Sequence, residues 1–530
     1  MQLKTPFFKC LGPLLFGKPP VCALKAAFES MARCQSLAQL RELFGCYFPA
    51  ALLAPTSSGD NSRERLFSLE VIFWGFLAQV QTPLGSCREA LRKIMAEKRR
   101  QAPREQAGAM SPSTAGYCSA RARIPLQVIS RISAHLVERM HKDIPRGALW
   151  HGRRVKLVDG ASVSMPDTPE NQERWPQSSG QKPGCGFPMM KLVGVFCMLT
   201  GALIEVATGN KKQHESILFK SLWGTLEKGD LVMGDRGFCS FGTLAQLLTR
   251  GIDVLMRLPV KKISQAVGSK LPKTENFDEV ITWKRPDSAP PSMSAEEFAL
   301  LPPSISVRVI RYNVAPKGFR TSSVTLVTTV LDASITAQEL AALYLQRWGI
   351  ELHFRELKTF LHMDVLRCKT PHMIERELAM HFVAYNLVRC AMQKAAITFD
   401  VELARVSFKG CLDTVRQFAN AAQGAENKPK TVAALLDEML LAIARDLLPH
   451  RPGRSEPRAV KRRPKNYQRL TKPRHQMGNL PHRNKVKAKN PKSALSYCHS
   501  GPTPFTGSDA FRSSSYFIFA SFPTLLKKYS

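Results

Sequence analysis

The hydrophobic pattern of this chain changes at Val155, and that change constrains the fold more than any other feature. Val155-Lys156-Leu157-Val158 reads as a strand running into Asp159-Gly160; Leu192 to Leu199 follows and is joined through Thr200-Gly201 to Ala202 to Ala207. Three strands in succession predict a meander. Beyond it, a helical stretch from Glu215 to Glu227 precedes Leu231-Val232-Met233-Gly234-Asp235, and Thr243 to Thr249 precedes Ile252 to Leu258. Strands now alternate with helices, which places this region in the α/β class.

The flanking segments have a different character. A leader, residues 1–22, carries Lys4, Lys9 and a short apolar stretch broken by Pro13, too interrupted for a signal peptide, and is read as weakly ordered. Residues 23–145 show helical periods, among them Leu66 to Gln79 and Ile129 to Met140. Within them, Ser113 to Arg123 forms a short helix candidate with Tyr117 and Arg121 one turn apart, a candidate DNA-contacting face or an ordinary solvated one. Between about 259 and 332 the chain reads as a separate β-rich insertion, with strands at Glu279 to Trp283, Ile305 to Tyr312 and Ser323 to Val330. Long helices follow at Thr336 to Leu361, Ile374 to Ala396, Val401 to Ala422 and Val432 to Leu448.

Charge narrows the partners. The 76 Lys and Arg against 42 Asp and Glu leave a formal charge of +34, an excess that suits a polyanion, because each neutralised phosphate releases condensed counterions. Fifteen basic residues stand against one acid, Glu456, between Arg451 and Lys492; this tail, with Lys461-Arg462-Arg463 at its most basic point, is read as a DNA contact rather than as core. No apolar run reaches the ~20 residues that a membrane span needs. The thirteen cysteines form no CxxC pair, which favours reduced thiols and a cytoplasmic, nucleoid-associated protein. His214 beside Glu215 is a lone histidine at a helix start, with a structural role favoured over a metal role.

The segment with the most chemistry is Tyr344 to Lys358. Thr336 and Glu339 fit a capping box, so a helix starts there and is expected to continue through the segment. At ~100° per residue, Tyr344, Arg347, Glu351, Arg355 and Lys358 fall at about 0°, −60°, −20°, 20° and −40°, on one face. One carboxylate among three cations and an aromatic suits a metal ligand flanked by phosphate-binding groups, although i,i+4 pairing on a solvated helix yields the same spacing.

The spacing Tyr344-x2-Arg347-x3-Glu351-x6-Lys358 resembles the Y-x2-R-x3-E-x6-K signature of the insertion sequence 4 family of DDE transposases. Val158-Asp159-Gly160-Ala161-Ser162 and Gly234-Asp235-Arg236-Gly237-Phe238 are similar to the family's other acidic motifs, in the same order. The resemblance spans about Ala23 to Lys487. It implies an RNase H-like catalytic core over 150–400, preceded by the helical region, followed by C-terminal helices at 401–450 and the basic tail at 451–492; residues 493–530 depart from the family pattern. It also implies that Asp159, Asp235 and Glu351 hold two Mg²⁺ ions, with Mn²⁺ as a substitute. Hard cations of this kind take carboxylate oxygens, and such a pair can activate a nucleophile and stabilise a leaving alkoxide. The implied reaction is cut-and-paste transposition by end cleavage, hairpin formation and strand transfer, on element-end and target double-stranded DNA, with a homodimer on the complex. By the same resemblance Tyr344, Arg347 and Lys358 contact the DNA end, with Arg355 on their face. Trp283, the insertion's only tryptophan, could stack a flipped base or lie buried in a strand. Two alternatives stay open, a transposase-derived DNA-binding regulator and a structure-specific nuclease without strand transfer.

Overall fold

A computed structural model of the chain describes residues 47–54, 67–82, 85–101, 111–259, 277–290, 293–314, 322–421, 429–449 and 470–476. The leader, Lys461, Arg462, Arg463 and residues 493–530 lie outside them. The contacts divide the chain into two units, and every element named below lies in the first, Met1–Ser178 with Phe187–Val314 and Thr321–Pro449.

Among the described residues, a single turn of helix (Ala50–Leu53) leads into the N-terminal helices α1 (Leu69–Gln81), α2 (Cys87–Gln101), α3 (Ala115–Ala122) and α4 (Leu126–Lys142). Helix α1 begins where Ser68 Oγ accepts a hydrogen bond from the Val71 amide, 3.4 Å, satisfying one of the orphan donors of the first turn. Then comes the predicted meander. Strands β1 (Val155–Ser164), β2 (Met189–Cys197) and β3 (Leu203–Asn210) pair antiparallel, with the short helix α5 (Pro169–Arg174) between β1 and β2. The alternating part follows as α6 (Glu215–Ser221), β4 (Leu231–Gly234), α7 (Phe241–Thr249) and β5 (Asp253–Arg257), with β4 parallel to both β1 and β5. Parallel strands covered on both faces should be apolar throughout, and β4 is buried at all four positions.

The remaining strands correct one expectation. Strands β6 (Phe277–Lys284), β7 (Ser304–Val314) and β8 (Ser322–Thr328), with α8 (Ala295–Ala299) between the first two, do not form a separate piece. They extend the same sheet, giving the order β3-β2-β1-β4-β5-β8-β7-β6. The reason is that β5 would otherwise leave its outer edge unpaired, and β8 pairs with it antiparallel, with Met256 opposite Val327. Trp283 shares this burial. It is 1% exposed and packs edge-on to Phe241 with ring centroids 6.1 Å apart, so it is a core residue and not a platform for a flipped base.

Helices cover both faces of the sheet. One core joins Leu157, Val163, Leu231 and Met233 to α1, α4 and the long helix α11 (Pro371–Thr398); the other joins Val158 and Val232 to α6 and α7. Helices α12 (Phe408–Ala421) and α13 (Pro429–Arg445) pack on α11. A buried ion pair ties the start of β1 to the approach of β4: Lys156 Nζ lies 2.6 Å from Asp230 Oδ2 and donates to Thr225 O at 2.7 Å. His214 caps α6 by accepting from the Ser216 amide at 3.3 Å, the structural role. Among the described residues no helix is long and apolar enough to cross a membrane.

The expected helix from Thr336 to Leu361 is present but changes winding three times. Its capping box forms, with the Glu339 amide donating to Thr336 Oγ1 at 3.2 Å and the Thr336 amide to Glu339 Oε2 at 2.8 Å. The chain then runs as α9 (Ala337–Leu345), a 3₁₀ turn (Gln346–Trp348), α10 (Gly349–Arg355) and a π-turn (Glu356–Phe360).

Tyr117 and Arg121 also differ from the DNA-contact expectation. Tyr117 is fully buried and donates to Gln79 Oε1 at 2.8 Å. Arg121 donates to the same oxygen at 3.0 Å and to Cys368 Sγ at 3.5 Å, with its guanidinium 4.7 Å from the Phe76 ring centroid. This side of α3 faces α1, so it is closed to DNA. Removing one partner from such a buried cluster strands the others, so Arg121→Ala is expected to cost about 2–4 kcal/mol of stability in urea unfolding, with DNA affinity unchanged in the folded variant. A loss under about 0.5 kcal/mol, typical of a surface substitution, would contradict the burial.

Candidate active site

The β1–β4 pairing builds the site. Val158 stands opposite Gly234 in parallel register, so Asp159 and Asp235 follow side by side. Side chains alternate along a strand, and Leu157 on β1 and Met233 on β4 both belong to the core under α11. Asp159 and Asp235, two residues further on, therefore project to that same face. Asp159-Gly160 lies within β1 and not in a turn. Gly160 is needed on the other face, where a Cβ would fall 2.8 Å from the carboxyl carbon of Glu215.

Helix α10 crosses this face and brings Glu351. Gly194 of β2, directly opposite Asp159, lets it approach, since a Cβ there would lie 3.3 Å from the Phe354 ring. Arg347, on the 3₁₀ turn, stands between the acids with Nη1 3.6 Å from Asp159 Oδ2 and Nη2 3.9 Å from Glu351 Oε1. Both separations exceed a hydrogen bond, and Arg347 Nε is buried without a partner. The guanidinium also lies 5.7 Å from the Tyr344 ring centroid and 5.1 Å from that of Trp348.

The electrostatics follow first from burial. Burial raises the Asp159 carboxyl to about 7; the Gly160 amide and Arg347 pull it down, while Asp235 and Glu351 push it up. Glu351 is also raised, first by burial, with Arg347 opposing and Asp235 adding to the shift. Three carboxylates thus share one loosely held cation, a donor set that suits a hard divalent ion. Among the described residues, no three acidic, histidine or cysteine side chains are drawn together closely enough to hold one.

The other predicted residues divide. Tyr344 is 5% exposed, and its hydroxyl donates to Gly234 O at 3.3 Å, so its ring is closed to a base and it props the turn carrying Asp235. Arg355 is exposed, 5.9 Å over the Phe360 ring, and Lys358 is half-buried. Two further residues carry no sequence pattern that would mark them. Trp348 is 41% exposed beside Arg347. Arg257 ends β5 on the face of Leu255, level with Asp235, where its charge is felt by Tyr344 and Tyr312.

Comparison with known proteins points to one family of enzymes. The family described as "Transposase DDE domain" matches residues 150–387, which contain all three acids and β1 to β8. The transposase InsG for insertion sequence element IS4 of Escherichia coli (strain K12) is 26% identical over 451 residues, covering 83% of this chain and 96% of that protein. A probable transposase for insertion sequence element IS5377 of Geobacillus stearothermophilus is 30% identical over 112 residues, 21% of this chain and 28% of its own length.

The raised carboxyl of Asp159 has a measurable sign. The stability that comes from its protonated form is fully present below its ordinary value of 3.8 and is lost as pH rises through about 7. Asp159→Asn stays neutral throughout. Without divalent metal, its stability advantage over the wild type should therefore grow between about pH 4 and pH 7 and be flat above, reaching roughly 2 kcal/mol once partial exposure is discounted. A difference in denaturant midpoint that does not vary with pH would refute it.

Proposed function

We propose that this chain is a DDE transposase that performs cut-and-paste transposition, cleaving element ends, closing a hairpin and joining the freed end to target DNA. The observation that carries this reading is the convergence of Asp159, Asp235 and Glu351 on one face at one edge of the β1–β4 pair, with Arg347 loosely held between them. DDE domains generally use divalent metal, and Asp159, Asp235 and Glu351 would hold two Mg²⁺ ions here, or Mn²⁺ in their place. When bound, the ions supply activation of the attacking oxygen and stabilisation of the departing one. The raised carboxyls fit that role, because a bound cation would offset the cost of ionising two buried acids beside a third.

The surrounding residues handle DNA. Arg347 has a planar fork, long contacts to its carboxylates and an unpartnered Nε, so a backbone phosphate would offer it better bonds than it has without DNA. Lys358 and Arg257 add charge around the same face, and Trp348 replaces Trp283 as the aromatic open to an unpaired base. Tyr344 holds the Asp235 turn through Gly234. The tail from Arg451 to Lys492 is proposed as a phosphate contact of no sequence preference, and two copies would act on a pair of ends.

Two measurements test this. Asp159→Asn, Asp235→Asn and Glu351→Gln should each abolish Mg²⁺-dependent end cleavage while leaving DNA binding within about threefold, and near-normal cleavage would remove that residue from the triad. Arg347→Ala should cut hairpin and joined products at least tenfold while nicking falls less, and Arg347→Lys should recover part of the loss. Wild-type proportions of nicked, hairpin and joined DNA in Arg347→Ala would leave Arg347 as a helix ion pair only. Nicking without any joined product in the wild-type protein would support a nuclease instead.

A further inference from the structure

Glu351 sits on a helix whose winding changes on both sides of it, through the 3₁₀ turn before and the π-turn after. Neither turn keeps the 100° step of an α-helix, so the backbone alone does not define where Glu351 points. The opposite face of the helix is where its rotation is held. At ~100° per residue within α10, His353 lies about 200° from Glu351, and Glu356, which opens the π-turn, meets it on that side. His353 Nδ1 is 3.3 Å from Glu356 Oε2. Arg389 of α11 reaches both, with Nη2 3.3 Å from His353 Nδ1 and Nη1 4.0 Å from Glu356 Oε2. Tyr385, one turn earlier, donates to Gly201 O at 2.8 Å and lies 3.5 Å from Glu356 Oε2.

Two more contacts carry this cluster to the strand that bears Asp159. His353 stacks on Phe196 with centroids 5.4 Å apart, and Phe196 pairs with Leu157, two residues before Asp159. Arg389 also fills the turn between β2 and β3. A Cβ on Gly201 would fall 1.5 Å from its Nη2, and Gly201 has φ +67, so only glycine serves there on both counts. The cluster is not an efficient source of stability: Arg389 Nε is buried without a partner, and buried ion pairs often contribute less than apolar packing of the same volume.

We propose that the buried Arg389–Glu356 pair is a positioning device that sets the rotation of α10, and through it the direction of Glu351 relative to Asp159. The pair touches no substrate. It rests on Glu351 being a metal ligand, and acts as outer partners of metal ligands do, by orienting the group that binds.

The test uses the full chain and Mn²⁺ alone, with free Mn²⁺ read by electron paramagnetic resonance. In Glu356→Leu/Arg389→Met, apolar side chains replace the pair, and melting should stay within a few degrees of the wild type. Half-saturation by Mn²⁺ should nevertheless rise at least about tenfold, the usual loss when an outer partner is removed. Amide hydrogen exchange should quicken over residues 349–360 and not over β1. If the folded double variant binds Mn²⁺ as the wild type does, while Glu351→Gln loses binding, the positioning proposal is overturned and the metal reading stands. If Glu351→Gln itself binds as the wild type does, the metal reading fails first. Should the double variant not fold, Glu356→Gln studied well below its melting temperature carries the same comparison: wild-type Mn²⁺ affinity refutes the proposal, and a tenfold loss with intact β1 exchange supports it.

Discussion

The parallel pairing of β1 with β4 is the constraint on which the rest of the molecule depends. It places Val158 against Gly234 and so brings two aspartates to one edge, an arrangement that like charges oppose. The buried Lys156–Asp230 pair at the start of the two strands fixes their register, and register matters because a slip of one residue would send an acid to the opposite face. Once the two aspartates are there, the third carboxylate needs an element crossing the strands, and Gly194 opposite Asp159 leaves room for α10 to do so. Arg347 then moderates three acids whose burial raises two of them. The site is therefore under-neutralised by construction, which is what a site loaded from outside with cations and phosphates requires.

Part of this was legible in the chain because strands buried on both faces are largely apolar. Val155 to Val158, with Lys156 as its one charged residue, and Leu231 to Gly234 could be located from that pattern, whereas the acids that follow them were singled out by the family resemblance. The capping box at Thr336 and Glu339 fixed the start of the signature helix for the same local reason. The failures share a different cause. Helical spacing places Tyr117 and Arg121 on one face without saying whether that face turns inward, and only the packing of α3 against Gln79 and Phe76 decides it. Trp283 fits an exposed or a buried strand position equally well until the neighbouring strand is known. The 3₁₀ and π-turns involve three to five residues, too few to leave a periodic signal. Arg257 and Trp348 become visible only when β5 and the 3₁₀ turn take their places.

Burial also separates the two kinds of polar residue in the catalytic body. Lys156, Arg121 and Arg389 are nearly closed to water and take partners from distant parts of the chain, so they spend their charge on the fold. Lys358, Arg355 and Trp348 keep some surface open, so they retain the capacity to meet something else. The triad lies between these extremes, partly covered and partly open.

The path of the chain through the outer strands has a consequence for how such a protein can change. After β5 it departs, builds β6 and β7, and returns in β8 beside the strand it left. The excursion therefore begins and ends at one edge, and lengthening its loops costs only about 0.6 kcal/mol for each doubling, while β8 continues to seal β5. Descendants of this sequence can rework that outlying hairpin by insertion and deletion, changing the surface it presents, and leave untouched the four residues of β4 on which the placement of Asp235 depends.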